Sequence, residues 1–224
     1  MFVSIADKLS SFDYVFFFNA NAFAIKEITA DMILPKKENG ENICVVKHPA
    51  YRNCKPFEFP YDRNFKCKAC IPYGFGKIYV QGCLIGGTTT DFLHMSKAIA
   101  TQIDKDLKKN VIALWHDESY LNRYILKHKD FRLLGIEFAN PLSDDPANAI
   151  IHMRQKNKYF NVDSIKENIT ELELCKFNRL LNNKIFDFLS KKSIFKHDYK
   201  ANKEKFGRLR AFIWGAKNIW KIPF

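Results

Sequence analysis

No stretch of about 18 uncharged apolar residues occurs in the 224-residue chain, so the sequence offers no helix able to cross a bilayer. The opening segment, Met1–Leu9, lacks the basic-then-apolar order of an export leader and carries Asp7 and Lys8, so a cytoplasmic chain is expected. A second CxxC is also missing. Cys67-Lys68-Ala69-Cys70 stands alone among six cysteines, and Cys44 and Cys54 are ten residues apart. Structural zinc wants paired ligands at close spacing, so free thiols are expected. The segment Gly82-Cys83-Leu84-Ile85-Gly86-Gly87-Thr88 is not followed by the GKS or GKT of a phosphate loop, which excludes that motif. It remains either a tight turn or a place where backbone closely approaches a ligand. Repeats and low-complexity linkers are absent.

Acidic residues are scarce only at one end. From His152 to Phe224 there are 17 Lys/Arg against 7 Asp/Glu, a net of +10, whereas the first 151 residues carry 19 against 17, a net of +2. The basic excess therefore belongs to the C-terminal third. With no nucleic-acid motif in the chain, that excess does not make nucleic acid an expected partner.

What is present is a globular composition, 47% hydrophobic, in a chain long enough for a sizeable core. Tyr14-Val15-Phe16-Phe17-Phe18 is a short aromatic and β-branched run, which predicts a strand buried on both faces in a parallel sheet. Ile43–Val46 and Lys77–Val80 predict further strands, with Pro49 to Gly76 a long loop between them. Thr90 or Asp91 caps a predicted helix carrying Phe92, Met95, Ile99 and Ile103 on one face. Val111–Leu114 is a short strand or buried segment, followed by a helix with Leu121, Tyr124 and Ile125, and Ile150-Ile151 is a last short strand. Ser164-x-x-Glu167 is a capping box opening another helix. Alternating strands and helices in the first two-thirds point to an α/β sheet.

Three polar groups could carry chemistry. Asn19-Ala20-Asn21 follows a strand directly, where α/β sheets bind ligands, and serves equally well as a turn. Trp115-His116-Asp117-Glu118-Ser119 places two carboxylates at a strand-to-helix junction, suited to nucleophilic or electrostatic work or simply to capping a helix. Arg154, Lys156 and Lys158 could neutralise a diphosphate or form a solvated loop.

Together and in order these elements resemble glycosyltransferase family 6, the family of the blood-group A and B transferases, the α1,3-galactosyltransferase and bacterial relatives. Phe16-Phe17-Phe18-Asn19-Ala20-Asn21 is similar to the bacterial form of its Asp-x-Asp segment, His48-Pro49 to its His-Pro, and Tyr61-Asp62-Arg63 to its Tyr-Glu-Arg. Ile71-Pro72 and Gly86-Gly87 fall at matching distances. Trp115–Ser119, continued by Leu121-Asn122-Arg123-Tyr124, is the most specific match, and Lys156-Asn157 resembles the family's Lys-Asn.

The resemblance implies a GT-A fold over residues 1–160, N-terminally truncated relative to the family, followed by a basic helical extension over 161–224. It implies retaining transfer of galactose or N-acetylgalactosamine from UDP-Gal or UDP-GalNAc, in α1,3 linkage, to a fucosylated galactose of an oligosaccharide acceptor. Glu118 would be the catalytic carboxylate beside the anomeric carbon, and would face the acceptor together with His48 and Trp115. Asn19, Asn21, Gln81, Gly82, Cys83, Asp117, Arg154 and Lys156 would bind the donor. Neutral Asn in place of a carboxylate pair implies that no metal cofactor is needed. The alternative is a truncated, non-catalytic remnant that binds sugar or nucleotide.

From Lys200 to Phe224 seven basic residues face one acidic residue, Glu204. On a helix, Phe206, Leu209, Ile213 and Trp220 would share a face, the composition of an interfacial helix on an anionic membrane or of a helix packed by that face on the catalytic domain. A protein held peripherally at the inner face of the cytoplasmic membrane is expected.

Overall fold

Ile43-Cys44-Val45-Val46 lies at the centre of the computed structural model, which describes residues 2–141 and 147–156. This run forms most of strand β3 (Ile43–Lys47), flanked by β4 (Val80–Thr88) on one side and β5 (Phe131–Leu134) on the other. Its side chains alternate between two cores, as the two-residue period of a strand requires. Cys44 and Val46 pack with Ile33, Leu134, Phe138 and Ile151. Ile43 and Val45 pack with Phe92, Met95, Leu121 and Ile125.

Among the described residues the other strands and α-helices are two four-residue helices, α1 (Ala6–Leu9) and α2 (Ala30–Ile33), the longer helices α3 (Thr89–Leu107) and α4 (His116–Lys127), and strands β1 (Tyr14–Phe18), β2 (Ala22–Ala24) and β6 (Ile151–Met153). The sheet order is β1-β4-β3-β5, with β2 and β6 paired separately. The architecture is thus a mixed α/β sheet. β4 runs antiparallel to both β1 and β3, and only β3 and β5 run parallel.

Several expectations are corrected. β1 is an antiparallel edge strand, half-buried rather than buried on both faces, and Phe18 is exposed. Its side chains alternate between the two cores, Phe16 packing on one face and Val15 and Phe17 on the other, and among the described residues its outer edge has no strand neighbour. Gly82–Thr88 is not a turn but the body of β4. Gly86 and Gly87 make room for neighbouring protein atoms. A Cβ on Gly86 would stand 2.1 Å from the Phe16 ring, and one on Gly87 would stand 2.3 Å from the Asn42 carbonyl oxygen. Gly86→Ala is expected to displace Phe16 and cost about 1–3 kcal/mol, seen as a lowered midpoint in urea with unchanged slope. The cap of α3 is Thr88 rather than Thr90 or Asp91, because β4 passes straight into the helix and the Thr88 hydroxyl accepts the Asp91 N–H.

Val111–Leu114 is a largely buried segment outside the named strands, and Asp62 fastens it, taking the Leu114 N–H on Oδ2 at 2.9 Å and the Asn64 N–H on Oδ1 at 2.8 Å. The Pro49–Gly76 loop is therefore a packed part of the molecule. Buried Arg63 donates to the carbonyls of Ile71 and Phe59 and lies over the rings of Tyr61 and Tyr73. The Cys67 thiol donates to Asp106 at 3.4 Å, and burial pushes its pKa, like that of Cys70, upward. Both stay thiols at neutral pH, which suits packing rather than metal binding or attack. The helix opened by Ser164, the 160/161 boundary and the basic tail lie outside the described residues.

Candidate active site

α4 begins on a chain reversal. His116 has φ 49°, and the Ser119 hydroxyl accepts the Trp115 N–H at 3.0 Å. Ser119 thus caps the helix from inside, and Asp117 and Glu118 stand in the first turn, where the helix dipole favours them. Glu118 does more than that. Its Oε1 accepts the Tyr79 hydroxyl at 2.7 Å and its Oε2 accepts the Gly82 N–H at 2.9 Å. The carboxylate is therefore held across to β4 instead of capping its own helix.

β4 is built to receive it. The register with β3 jumps from Val45↔Ile85 to Val46↔Gln81, leaving Gly82, Cys83 and Leu84 without β3 partners. This irregularity frees the Gly82 N–H from the ladder for the carboxylate. Asn122, one helical turn after Glu118, secures the other half of the junction. Its Oδ1 accepts the Val80 N–H at 3.0 Å, while Nδ2 donates to the carbonyls of Val80 and Glu118, each at 2.9 Å. Burial raises the Glu118 pKa, the Gly82 N–H and Tyr79 hydroxyl pull it back, and neighbouring Asp117 adds to the rise. The same burial and the same carboxylate hold the Tyr79 phenol protonated.

His48 joins this group through aromatic contacts. Its ring centroid is 4.8 Å from Tyr51 and 5.7 Å from Tyr79, and its Nδ1 accepts the Ala50 N–H. Burial pushes its pKa down to about 4, so the imidazole is neutral at neutral pH.

A second group adjoins the first at Gly82-Cys83. The Asn19 N–H donates to the Cys83 carbonyl at 2.9 Å, and the Asn19 carbonyl accepts the Ala22 N–H, so the β1–β2 turn is tied to the β4 irregularity. Asn21 exchanges bonds with Arg154: its Nδ2 donates to the Arg154 carbonyl at 2.7 Å and its own carbonyl accepts the Arg154 N–H at 2.9 Å. The Arg154 guanidinium lies 4.4 Å from the centroid of the Phe23 ring. Burial pushes the Cys83 thiol up to about 12, opposed by the positive charge of Lys156. Among the described residues the buried oxygens Asn21 Oδ1 and Gln81 Oε1, like Asp106 Oδ1 elsewhere, have no hydrogen-bond partner, so the first two are acceptors available to a donor group. Asp117 and Lys156 are exposed, and Trp115 is partly so.

The structure thus brings Glu118, Gly82 and His48 together through Tyr79, and Asn19, Asn21, Cys83, Arg154 and Lys156 into a neighbouring group. Lys158 lies outside the described residues. Tyr79 and Asn122 were not singled out as functional residues in the sequence. The i, i+4 spacing from Glu118 puts Asn122 on the same helix face and could have marked it. Nothing local marks Tyr79, because its partner is 39 residues away.

Residues 28–166 match the profile of glycosyltransferase family 6. The O-antigen biosynthesis glycosyltransferase WbnI of Escherichia coli is 34% identical over 166 residues, covering 74% of this chain and 69% of that protein. Histo-blood group ABO system transferase 2 of Rattus norvegicus is 34% identical over 91 residues, 41% of this chain and 27% of that protein. Globoside alpha-1,3-N-acetylgalactosaminyltransferase 1 of Gallus gallus is 36% identical over 91 residues, 41% of this chain and 26% of that protein. The matched segment therefore spans about a quarter of these two vertebrate proteins. The chain belongs to glycosyltransferase family 6, whose chemistry is the transfer of a glycosyl group from a nucleotide-sugar donor to a glycan acceptor.

Proposed function

We propose that the protein is a retaining hexosyltransferase with a GT-A type fold, moving galactose or N-acetylgalactosamine from a UDP-sugar to the 3-hydroxyl of a galactose, fucosylated in the preferred acceptor. The observation that carries this reading is the Glu118 carboxylate, held between the Tyr79 hydroxyl and the Gly82 N–H in a family 6 chain. In the reaction the bond from the anomeric carbon to the UDP oxygen breaks and a bond to the acceptor oxygen forms. The acceptor hydroxyl proton passes to the departing diphosphate oxygen, so that UDP leaves carrying it. Glu118 serves beside the anomeric carbon, as nucleophile or as the charge opposing an oxocarbenium-like state. Asn19, Asn21, Gln81, Gly82, Cys83 and Asp117 bind the donor, with the open oxygens of Asn21 and Gln81 suited to hydroxyl or amide donors on a sugar. His48 and Trp115 face the acceptor, and Arg154 and Lys156 hold the diphosphate.

The test is incubation with UDP-galactose or UDP-N-acetylgalactosamine and a fucosylated galactoside, with the product linkage read by NMR. An α1,3-linked product supports the reading. UDP binding without any product would make the chain a binding protein instead.

Two further expectations belong to this reading. Neutral Asn side chains lose the charge with which a carboxylate pair would hold a divalent cation, so basic residues take the cation's part. Transfer is expected to persist in excess EDTA, and activity lost to EDTA and restored by manganese would overturn that. The basic tail, residues 200–224, is proposed to hold the protein on the inner face of the cytoplasmic membrane. Co-flotation with anionic vesicles is expected, weakening in high salt and lost on deletion of the tail.

A further inference from the structure

The two faces of α4 serve different surroundings. Glu118 and Asn122 point toward β4, while Tyr120, Arg123, Tyr124 and Lys127 lie around the opposite side of the helix. That opposite side, together with part of α3, Lys68 and His128, lines a cavity of about 400 Å³. Lys68, His94, Arg123, Lys127 and His128 contribute to its wall, and among the described residues no carboxylate lines it. Among the described residues no carboxylate forms an ion pair with Lys68, Arg123 or Lys127. His128 alone meets one, with Nδ1 4.0 Å from Asp130. Asp106 lies behind the wall, fully buried, its Oδ2 taking the Tyr120 hydroxyl at 2.8 Å, the Lys68 N–H at 2.6 Å and the Cys67 thiol at 3.4 Å.

Like charges gathered in a concavity raise the local potential and favour an anion among them. One part of the wall is also flat. The rings of Tyr124 and His128 stack at 4.0 Å with an interplanar angle of 7°. We propose that this cavity is a second ligand site, separate from the Glu118 cluster, that binds a sugar phosphate. The phosphate sits among Arg123, Lys127 and Lys68, and the sugar ring lies against the Tyr124–His128 stack. Arg123 suits the phosphate because its guanidinium offers two parallel donors to two oxygens.

The test titrates the full-length chain with glucose 1-phosphate, inorganic phosphate and unphosphorylated glucose, following the imidazole proton resonances of His94 and His128. Glucose 1-phosphate is expected to move both resonances saturably and to bind more tightly than inorganic phosphate, whereas glucose moves neither. Arg123→Gln is expected to weaken binding by about tenfold or more, the loss of one charge-assisted contact, and Lys127→Gln, on an exposed position, does the same without risk to the fold. Arg154→Gln leaves this titration unchanged, which keeps the result independent of the proposed transfer reaction. Resonances that do not move, or an Arg123→Gln protein that folds and binds like the wild type, would overturn the site. Inorganic phosphate binding as tightly as the ester would remove the sugar from it. Engagement of phosphatidate-bearing vesicles through Arg123, with no response to the soluble ester, would assign the phosphate to a lipid headgroup and overturn the sugar phosphate.

Discussion

Glu118→Gln lowers the rate of sugar transfer by about 10²-fold or more, the scale of losing one positioned catalytic group. The amide keeps the size of the side chain and still offers an oxygen to one of the two donors, Tyr79 or Gly82. Folding stability at neutral pH should therefore stay within about 1–2 kcal/mol of the wild type. The pH dependence separates a chemical role from a structural one. Because burial raises the Glu118 pKa, the ionised form is populated only above the ordinary carboxylate range, and transfer by the wild type should climb with pH through that raised value. The stability linkage runs the other way. The folded state holds this proton more tightly than the unfolded chain, so the group's contribution to stability is fully present below the unfolded pKa and is lost as pH rises through the folded one. Glu118→Gln cannot ionise and should lack that loss. Rates near wild type in the variant would leave Glu118 as a residue that only ties α4 to β4.

Asn122→Ala is the second large effect. It removes three hydrogen bonds from a fully buried position and leaves the N–H and carbonyl of Val80 without partners. The expected cost is about 2–4 kcal/mol of stability, measured by urea unfolding. In the folded fraction kcat should fall about tenfold or more, because the turn of α4 that carries Glu118 loses its anchor and small misplacements are costly to a reacting geometry. The donor KM should change less than kcat, since the hydrogen bonds of Asn122 go to Val80 and Glu118 and not to Asn21 or Arg154. A folded variant with unchanged kcat would restrict Asn122 to stability alone.

Much of this site could be located from the chain itself. Glu118 stands out because two carboxylates follow a buried apolar segment at the start of a helix, and helix starts are legible from local chemistry. Asn19 and Asn21 stand out because they follow a strong aromatic run. Other features carry a misleading local signal. Val80–Thr88 carries three glycines, which suggest a turn when only neighbours in sequence are considered. All three lie within the strand, and Gly86 and Gly87 leave the room that Phe16 and the Asn42 backbone occupy. β5 escaped notice because Phe131-Arg132-Leu133-Leu134 is four residues long with a charge inside, and its place comes from parallel pairing with β3.

The sequence by itself determined the elements whose causes are local: the periodic faces of α3 and α4, the apolar runs of β1 and β3, the lone CxxC and the basic C-terminal third. It also carried the ordered set of motifs shared with family 6. Only the tertiary structure decided what the Glu118 carboxylate touches, because its donors lie 36 and 39 residues away and one exists only where β4 departs from its ladder with β3. The same holds for the open oxygens of Asn21 and Gln81 and for the basic cavity behind α4. A side chain's environment is set by segments that meet after folding, and no spacing along the chain encodes which backbone N–H will be left free.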